Sequence, residues 1–349
     1  MQLIAEVSAV VKQSDEERLK QLAKMLYSLP VRARKQLLEL AMEYLATAGQ
    51  VEQLSLLLSV DEGVMQHMQG AEGQAKKGKY HPKNKLNDLA GNEWVFFTKT
   101  VMQTSYPSEL GHHLRRQHYA NKPPALMREI IEFFTKRGQT VLDPFAGVGG
   151  TLLGASLCGR RAVGIELEQR WLDIYLEVCR QEQIEPQEVI CGDCLEVMPR
   201  LFQEGRLFDA IITDPPYSPA LRKTMCDGKY GWSNRESPFE SFSSSPRDFR
   251  NSATFEEFYD RMEQVGHWFF RLLRPGKYAA VMIRDSYQDG EYIPTSFYVA
   301  ERFRKAGFQF KGVKIWYQTG APVRPYGYPY AYVPNIVHHN ILIFRKPPS

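Results

Sequence analysis

Four short apolar runs between residues 141 and 214 each end on an acid: "VLD" at Asp143, "AVGIE" at Glu166, "VICGD" at Asp193 and "AIITD" at Asp214. Segments of helical spacing, "TLLGASLCGR" and "QRWLDIYLEVCRQEQ", lie among them. The alternation extends in both directions. "PALMREIIEFFTKRG" (124–138) is an amphipathic helix ending at Gly138. "TFEEFYDRMEQVGHWFFRLLRPGK" is a long helix before the strand "YAAVMIR", and "TSFYVAERFRKAG" precedes the strands "FKGVKIWYQ" and "HNILIFRK". Such alternation predicts an α/β fold, a mostly parallel sheet covered by helices on both faces. Ligands of open sheets of this kind sit at the carboxyl ends of the strands. The row of acids therefore marks the edge where function is to be sought.

The 349 residues suffice for one large domain with an extension, or for two domains. Residues 1–70 read as a small α-helical N-terminal extension. Ser14 and Glu17 form a capping box ahead of Leu19, Leu22, Met25, Leu26 and Leu29; Pro30 divides this helix from a second, which Gly49 ends. Residues 71–111 read as a basic linker and lead-in, and 112–349 as the main domain. No run of about 18 apolar residues occurs, which predicts no membrane span. The N-terminus lacks a basic start, which predicts no secretory signal. Five cysteines, an odd number, argue against a disulfide framework and for a reducing, cytoplasmic setting. The net charge of +4 says little. "KKGKYHPKNK" (76–85), "HHLRRQH" (112–118) and the pair Arg222 and Lys223 concentrate cations, either as solvated loops or as contacts to nucleic-acid phosphates.

In "VLDPFAGVGGT" (141–151) a strand ends at Asp143 and glycines turn the chain tightly into a helix. The spacing is neither G-x-G-x-x-G nor G-x-x-x-x-G-K-[ST], which disfavours a nicotinamide or nucleoside-triphosphate site. Glu166 can accept from two ribose hydroxyls, and Asp193 from the exocyclic amine of an adenine. Each acid alone has a bland reading as a helix cap or surface residue. Together they describe a pocket for an adenosine-bearing ligand. The fourth run leads into "TDPPYS" (213–218). Pro215 and Pro216 stiffen the chain and bring no competing N–H donors. Asp214 with such a prolyl carbonyl makes a two-acceptor clamp for a planar amine, and Tyr217 offers a flat face for a base. The bland alternative is a proline turn that stops a strand.

The pair "DPFAGVGGT" and "DPPY" resembles the S-adenosylmethionine-dependent amino-methyltransferases that modify adenine or cytosine in DNA. The resemblance covers about residues 112–349, and includes the lead-in "HYANKPPALMREIIEFFT" and the closing "HHNILIFRK". It implies a Rossmann-like methyltransferase fold with S-adenosylmethionine as cofactor. Asp143, Phe145, Gly147, Gly149 and Thr151 would line the methionine end, Glu166 would hold the ribose and Asp193 the adenine. Asp214, Pro215, Pro216 and Tyr217 would hold the target base. Gly150 departs from the many relatives that carry threonine there. The cofactor motif precedes the catalytic one, as in the unpermuted groups and in certain RNA methyltransferases. The implied reaction is direct displacement by the exocyclic amine of adenine in DNA. Cytosine N4 is the near alternative, a tRNA or rRNA amine the second, and a silent nucleic-acid-binding subunit the third. The implied partners are DNA, with RNA in the alternative, and a restriction enzyme; no membrane is expected, and the implied location is the nucleoid.

The polar stretch 218–254, with Trp232 among its basic and aromatic residues, is either a mobile loop or a target-recognition insertion. "PVRPYGYPYAYVPN" (322–335) is either a base-stacking surface or a packed loop. Cys191 and Cys194 have the spacing of one metal-binding pair without a second, so they read as flanks of Asp193 and no metal is expected. His338 and His339 read as structural.

Overall fold

The computed structural model describes residues 80–348, except 119, 218–242, 244, 289, 319 and 320. The expected N-terminal helices, Arg222, Lys223, Trp232 and most of the 218–254 stretch lie outside the described residues. The described residues of 80–106 and 110–348 belong to one compact unit. Its helices are α1 (Gly91–Phe97), α2 (His112–Arg115), α3 (Pro124–Phe134), α4 (Gly150–Leu157), α5 (Gln169–Glu182), α6 (Cys194–Gln203), α7 (Phe255–Leu272) and α8 (Thr295–Lys305). Its strands are β1 (Val101–Gln103), β2 (Thr140–Asp143), β3 (Arg161–Glu166), β4 (Glu188–Cys191), β5 (Phe208–Thr213), β6 (Leu273–Ile283), β7 (Ser286–Gln288), β8 (Glu291–Ile293), β9 (Gln309–Tyr317) and β10 (His338–Arg345).

Eight strands form one sheet in the order β1-β9-β10-β6-β5-β2-β3-β4, and β7 and β8 form a separate hairpin. Every pairing in the large sheet is parallel except those of β10, which runs antiparallel to β6 and β9. The expected α/β fold, Rossmann-like and mostly parallel, is what the chain adopts. The order reverses between β2 and β5, which run side by side from the middle of the sheet. Such a reversal opens a crevice at the carboxyl ends of the strands, and Asp143 and Asp214 stand at its two lips.

Two apolar clusters hold the layers. One places Phe258, Met262 and Phe269 of α7 and Val299 and Phe303 of α8 with Leu142, Ile211, Val281 and Phe344 of the sheet. The other places Leu126, Met127, Ile130 and Ile131 of α3 with Leu152, Tyr175, Val141, Ile212 and Ile341. Alternate residues of β5 therefore go to opposite faces, Ile211 to the first and Ala210 and Ile212 to the second, as the two-residue period of a strand requires. Pro124 begins α3, where its missing N–H costs nothing. Thr254 caps α7, its hydroxyl accepting from the Glu257 N–H at 3.1 Å.

Three local readings change. The described part of the stretch read as a basic linker carries α1 and β1. Phe97 stacks on Phe133 at 4.1 Å, and β1 extends the sheet beside β9; the aromatic residues of "GNEWVFF" outweigh the surrounding Lys and Asn. Helix α3 ends at Phe134 rather than Gly138, because Thr135 is extended and its hydroxyl turns back to the Ile131 carbonyl at 2.5 Å. Within "HHLRRQH", Arg115 is not a surface cation: it is 1 % exposed and donates to the carbonyls of Leu110 and Lys122. Among the described residues no helix is long and apolar enough to cross a membrane.

Candidate active site

The loop from β2 to α4 bends through Gly147 (φ 51°) and Gly149 (φ 77°), backbone conformations that favour glycine. A Cβ on Gly149 would lie 2.1 Å from Tyr175 Cδ2. Asp143, 2 % exposed, accepts at Oδ1 from the Thr213 hydroxyl (2.6 Å) and the Phe145 N–H (3.1 Å), and it also meets the Thr151 hydroxyl. It thus ties the end of β2 to the end of β5, to the loop and to α4. Burial pushes its carboxyl up to about 6, against the pull of those bonds.

Glu166 ends β3 and braces the same loop. Its Oε2 accepts from the Gly147 N–H at 2.8 Å and its Oε1 from the Glu168 N–H at 3.0 Å. Burial pushes its carboxyl up to about 7. Two carboxylate oxygens offer about four acceptor directions; with the Leu167 N–H also bearing on this carboxyl, one remains for a hydroxyl donor. Asp193 caps α6, with Oδ1 accepting from the Leu195 N–H at 2.8 Å, and its Oδ2 remains. The His118 ring lies 3.5 Å from where a Gly147 Cβ would stand and meets Trp171 edge-on at 4.7 Å. Phe145 packs edge-on against Phe249 at 5.2 Å. A loop bare of side chains at Gly147, flanked by acceptors at the ends of β3 and β4, fits an adenosine-bearing cofactor.

Across the crevice Asp214 follows β5, its side chain 14 % exposed. The Lys122 ammonium lies 2.6 Å from Oδ2, and the Tyr217 hydroxyl donates to Oδ1 at 2.6 Å. Burial raises the Asp214 carboxyl, while Lys122 first and then Tyr217 pull it down. His339 Nδ1 lies 3.2 Å from the Tyr217 hydroxyl oxygen. That oxygen already donates to Asp214, so His339 must supply the N–H of this second bond. Burial holds the imidazole well below its usual range, hence neutral, and it stacks on Trp316 at 5.0 Å. Pro215 is buried and Pro216 half-buried in the turn between the two polar groups. The sequence thus brings Asp143, Phe145, Gly147, Gly149, Thr151 and Glu166 into one loop cluster. It brings Asp214 and Tyr217 into direct contact, and leaves Asp193 at the next strand end.

A profile of the N6/N4 methylases, described as "DNA methylase", matches residues 35–177. A tRNA (guanine(10)-N2)-dimethyltransferase of Methanothermobacter thermautotrophicus is 40 % identical over 95 residues, 27 % of each chain. The type II methyltransferase M.HinfI of Haemophilus influenzae is 33 % identical over 75 residues, 22 % of this chain and 21 % of that one. These partial matches agree with the resemblance to the S-adenosylmethionine-dependent amino-methyltransferases. The chain spans about a quarter of the length of these curated relatives. Among solved structures, TrmN from Thermus thermophilus is similar at a TM-score of 0.37, with 15 % identity over 73 % of this chain and 52 % of that one.

S-adenosylmethionine is the cofactor that goes with this resemblance. The departure at Gly150 has a local cause, since a Cβ there would come 2.8 Å from the Lys122 carbonyl oxygen. Two residues of the site escaped the sequence reading. Lys122 lay unassigned inside the quoted lead-in, and its one signal was a lysine fixed between Asn121 and two prolines directly before a helix. His339 was read as structural, and nothing in its neighbourhood of sequence points to Tyr217, 122 positions away. Cys191 is exposed at the end of β4 and Cys194 buried at the start of α6. Among the described residues no His, Cys, Asp and Glu cluster of metal-binding size occurs.

Proposed function

We propose that this chain transfers a methyl group from S-adenosylmethionine to the exocyclic amine of adenine in DNA, on a base turned out of the helix. The observation that carries the reading is the placement of Asp214 and Tyr217 across the β2/β5 reversal from the glycine loop, with Asp143 bonded to Thr213 of the catalytic strand. One hydrogen bond thus fixes the spacing of the two half-sites. Asp143, Phe145, Gly147, Gly149 and Thr151 form the floor for the methionine end; Glu166 takes the ribose hydroxyls and Asp193 the adenine.

When bound, the cofactor supplies an electrophilic methyl on a sulfonium. Asp214 and the Pro215 carbonyl accept the two hydrogens of the target amine. They pull its nitrogen toward a tetrahedral shape and free a lone pair that the ring otherwise delocalises. Tyr217 sets the plane of the base. As the new N–C bond forms and the C–S bond breaks, the amine gives up one proton, for which Asp214 is the nearest acceptor. Alignment at about 3 to 3.5 Å does most of the work, as in any positioned displacement.

The loop 321–337 leaves β9 on the same edge of the sheet and returns into β10 at His338. It exposes Tyr328, Tyr330 and Tyr332 at 76, 81 and 87 %. Exposed rings beside a base pocket suit stacking on nucleobases. The DNA reading draws on the "DNA methylase" description of the matching family. The tRNA (guanine(10)-N2)-dimethyltransferase relatives favour a second reading, an amine in RNA.

Labelled cofactor offered with duplex DNA, single-stranded DNA and total RNA separates the two, with the methylated nucleoside identified by mass spectrometry. N6-methyladenine in DNA is expected. Label in RNA alone overturns the DNA reading, and N4-methylcytosine the choice of base.

A further inference from the structure

Lys122 stands where the target amine must go. Its ammonium is 2.6 Å from Asp214 Oδ2 and 5.2 Å from the centroid of the Tyr217 ring, between the carboxylate and the aromatic face. It is 7 % exposed and donates a second hydrogen to the Ala120 carbonyl at 3.1 Å. An ammonium has three donors, and the third has no acceptor among the described residues. The backbone beneath it is fixed. The Lys122 carbonyl receives the buried Arg115 guanidinium at 3.1 Å, Gly150 packs against that oxygen, and Pro123 follows. The long side chain is then the part free to turn.

A base entering this gap brings its own amine to Asp214. Adenine also brings a ring acceptor, N1, next to that amine, and cytosine brings N3. Guanine's amine lies between N1, which carries a hydrogen, and the acceptor N3. The ammonium and the base amine compete for Oδ2, and a displaced lysine needs a new acceptor within reach.

We propose that Lys122 is a positioning residue: it keeps Asp214 ionised before the base arrives, yields Oδ2 to the incoming amine, and donates instead to the ring nitrogen beside that amine. The site thereby makes use of a ring acceptor beside the target amine, N1 in adenine or N3 in cytosine. The proposal rests on the methyl-transfer reading above. The groups that face Asp214 are Lys122 ahead of α3, Tyr217 after β5 and Asp143 at the end of β2, with His339 of β10 and Arg284 after β6 behind Tyr217. Of these, Lys122 is the cation in contact with the carboxylate.

The test uses the full chain and Lys122→Met, nearly the same length without charge. Unmethylated genomic DNA first maps the modified site. Duplex oligonucleotides with that site then carry adenine, 1-deazaadenine or 7-deazaadenine at the target. Lys122→Met should bind cofactor like the parent and transfer methyl about 10- to 100-fold more slowly, the scale of one charged hydrogen bond. The acid limb of its pH–rate profile should move to higher pH. The parent should lose a similar factor on 1-deazaadenine and keep its rate on 7-deazaadenine. Lys122→Met should lose nothing more on 1-deazaadenine.

An unshifted acid limb overturns the proposal, as does full parental activity on 1-deazaadenine, which needs no variant at all. Absence of transfer by the parent to any nucleic acid strikes the methyl-transfer reading instead. The lysine is then decided by the carboxyl titration of Asp214 in the free protein, followed by isotope-edited infrared spectroscopy. Lys122→Met should raise it, and an unchanged midpoint overturns the assignment.

Discussion

The two lips of the crevice hold their carboxylates by different means. On the β2–β4 side, Glu166 and Asp193 are gripped by backbone N–H groups, and Asp143 by a backbone N–H and two hydroxyls of the sheet and α4. On the β5 side, Asp214 is gripped by two side chains, a lysine and a tyrosine. Backbone donors in a glycine loop cannot leave without unfolding the loop. Side-chain donors can leave by rotation. Under the proposed function, the first lip would present fixed acceptors to a ligand that comes whole, and the second would exchange partners, as a clamp for a transient amine requires.

The largest expected effect comes from removing the exchangeable acid. Asp214→Ala should lower the transfer rate by about a thousandfold or more, the scale seen when a preorganised polar group at the reacting atoms is lost, while cofactor affinity stays within a few-fold. Single-turnover rates and calorimetry read the two quantities separately. A parallel fall in both would mean that the lips are not independent. The matching change on the other lip is Gly149→Ala. The added Cβ meets Tyr175 at 2.1 Å in a left-handed conformation. Strain of that kind costs about 1 to 3 kcal/mol before the clash is counted. A melting temperature lowered by several degrees and a cofactor affinity weakened about tenfold or more are expected.

These contrasts bear on what the sequence could tell. Strand ends, glycine turns and the α/β alternation are local signals, and the loop from Asp143 to Thr151 with Glu166 is legible as a cluster because most of its bonds run within the loop or to the next strand. Gly150 and Asp143 show the limit. The packing of Lys122 against Gly150 and the bond from Thr213 to Asp143 join segments 28 and 70 positions apart. The exchangeable lip was half legible. Asp214 and Tyr217 are neighbours in sequence, but Lys122 and His339 reach them from before α3 and from β10, and only the sheet order brings those segments together. The helix α1 and strand β1 are not legible locally because the aromatic residues of α1 pack on α3 and β1 pairs with β9, far along the chain.

The next effect is a matter of pH. Burial holds the Glu166 carboxyl at about 7 in the free protein. Ribose hydroxyls donate more strongly to a carboxylate than to the carbonyl of a protonated acid, so cofactor binding should release a proton. Affinity should therefore rise with pH, about tenfold per unit below pH 7, and level off above it. Calorimetry in two buffers of different ionisation heat measures the proton count. Glu166→Gln should flatten the dependence. Stability of the cofactor-free protein runs the other way. A carboxyl raised in the folded state contributes stability that is lost as pH rises toward about 7, so thermal unfolding of the free chain should come earlier at pH 8 than at pH 6. A cofactor affinity independent of pH would separate Glu166 from the ligand.

The smallest effect sharpens the comparison most. Tyr217→Phe keeps the flat ring and removes the hydroxyl that bridges Asp214 and His339. Asp214 loses one donor but keeps Lys122, which pulls its carboxyl down more strongly than the tyrosine does. The His339 N–H loses its acceptor inside a buried pocket, at a cost of about 1 to 3 kcal/mol in stability. Transfer should slow by about 3- to 10-fold, with the acid limb displaced upward by less than in Lys122→Met. The order of the two shifts is the informative quantity. If the two side chains hold one carboxylate between them, removing the cation must move its titration further than removing the neutral donor, and cofactor affinity on the opposite lip must register neither change. A larger shift in Tyr217→Phe would place the control of Asp214 in the Tyr217–His339 pair, and the exchange at this lip would then be a rotation of the tyrosine.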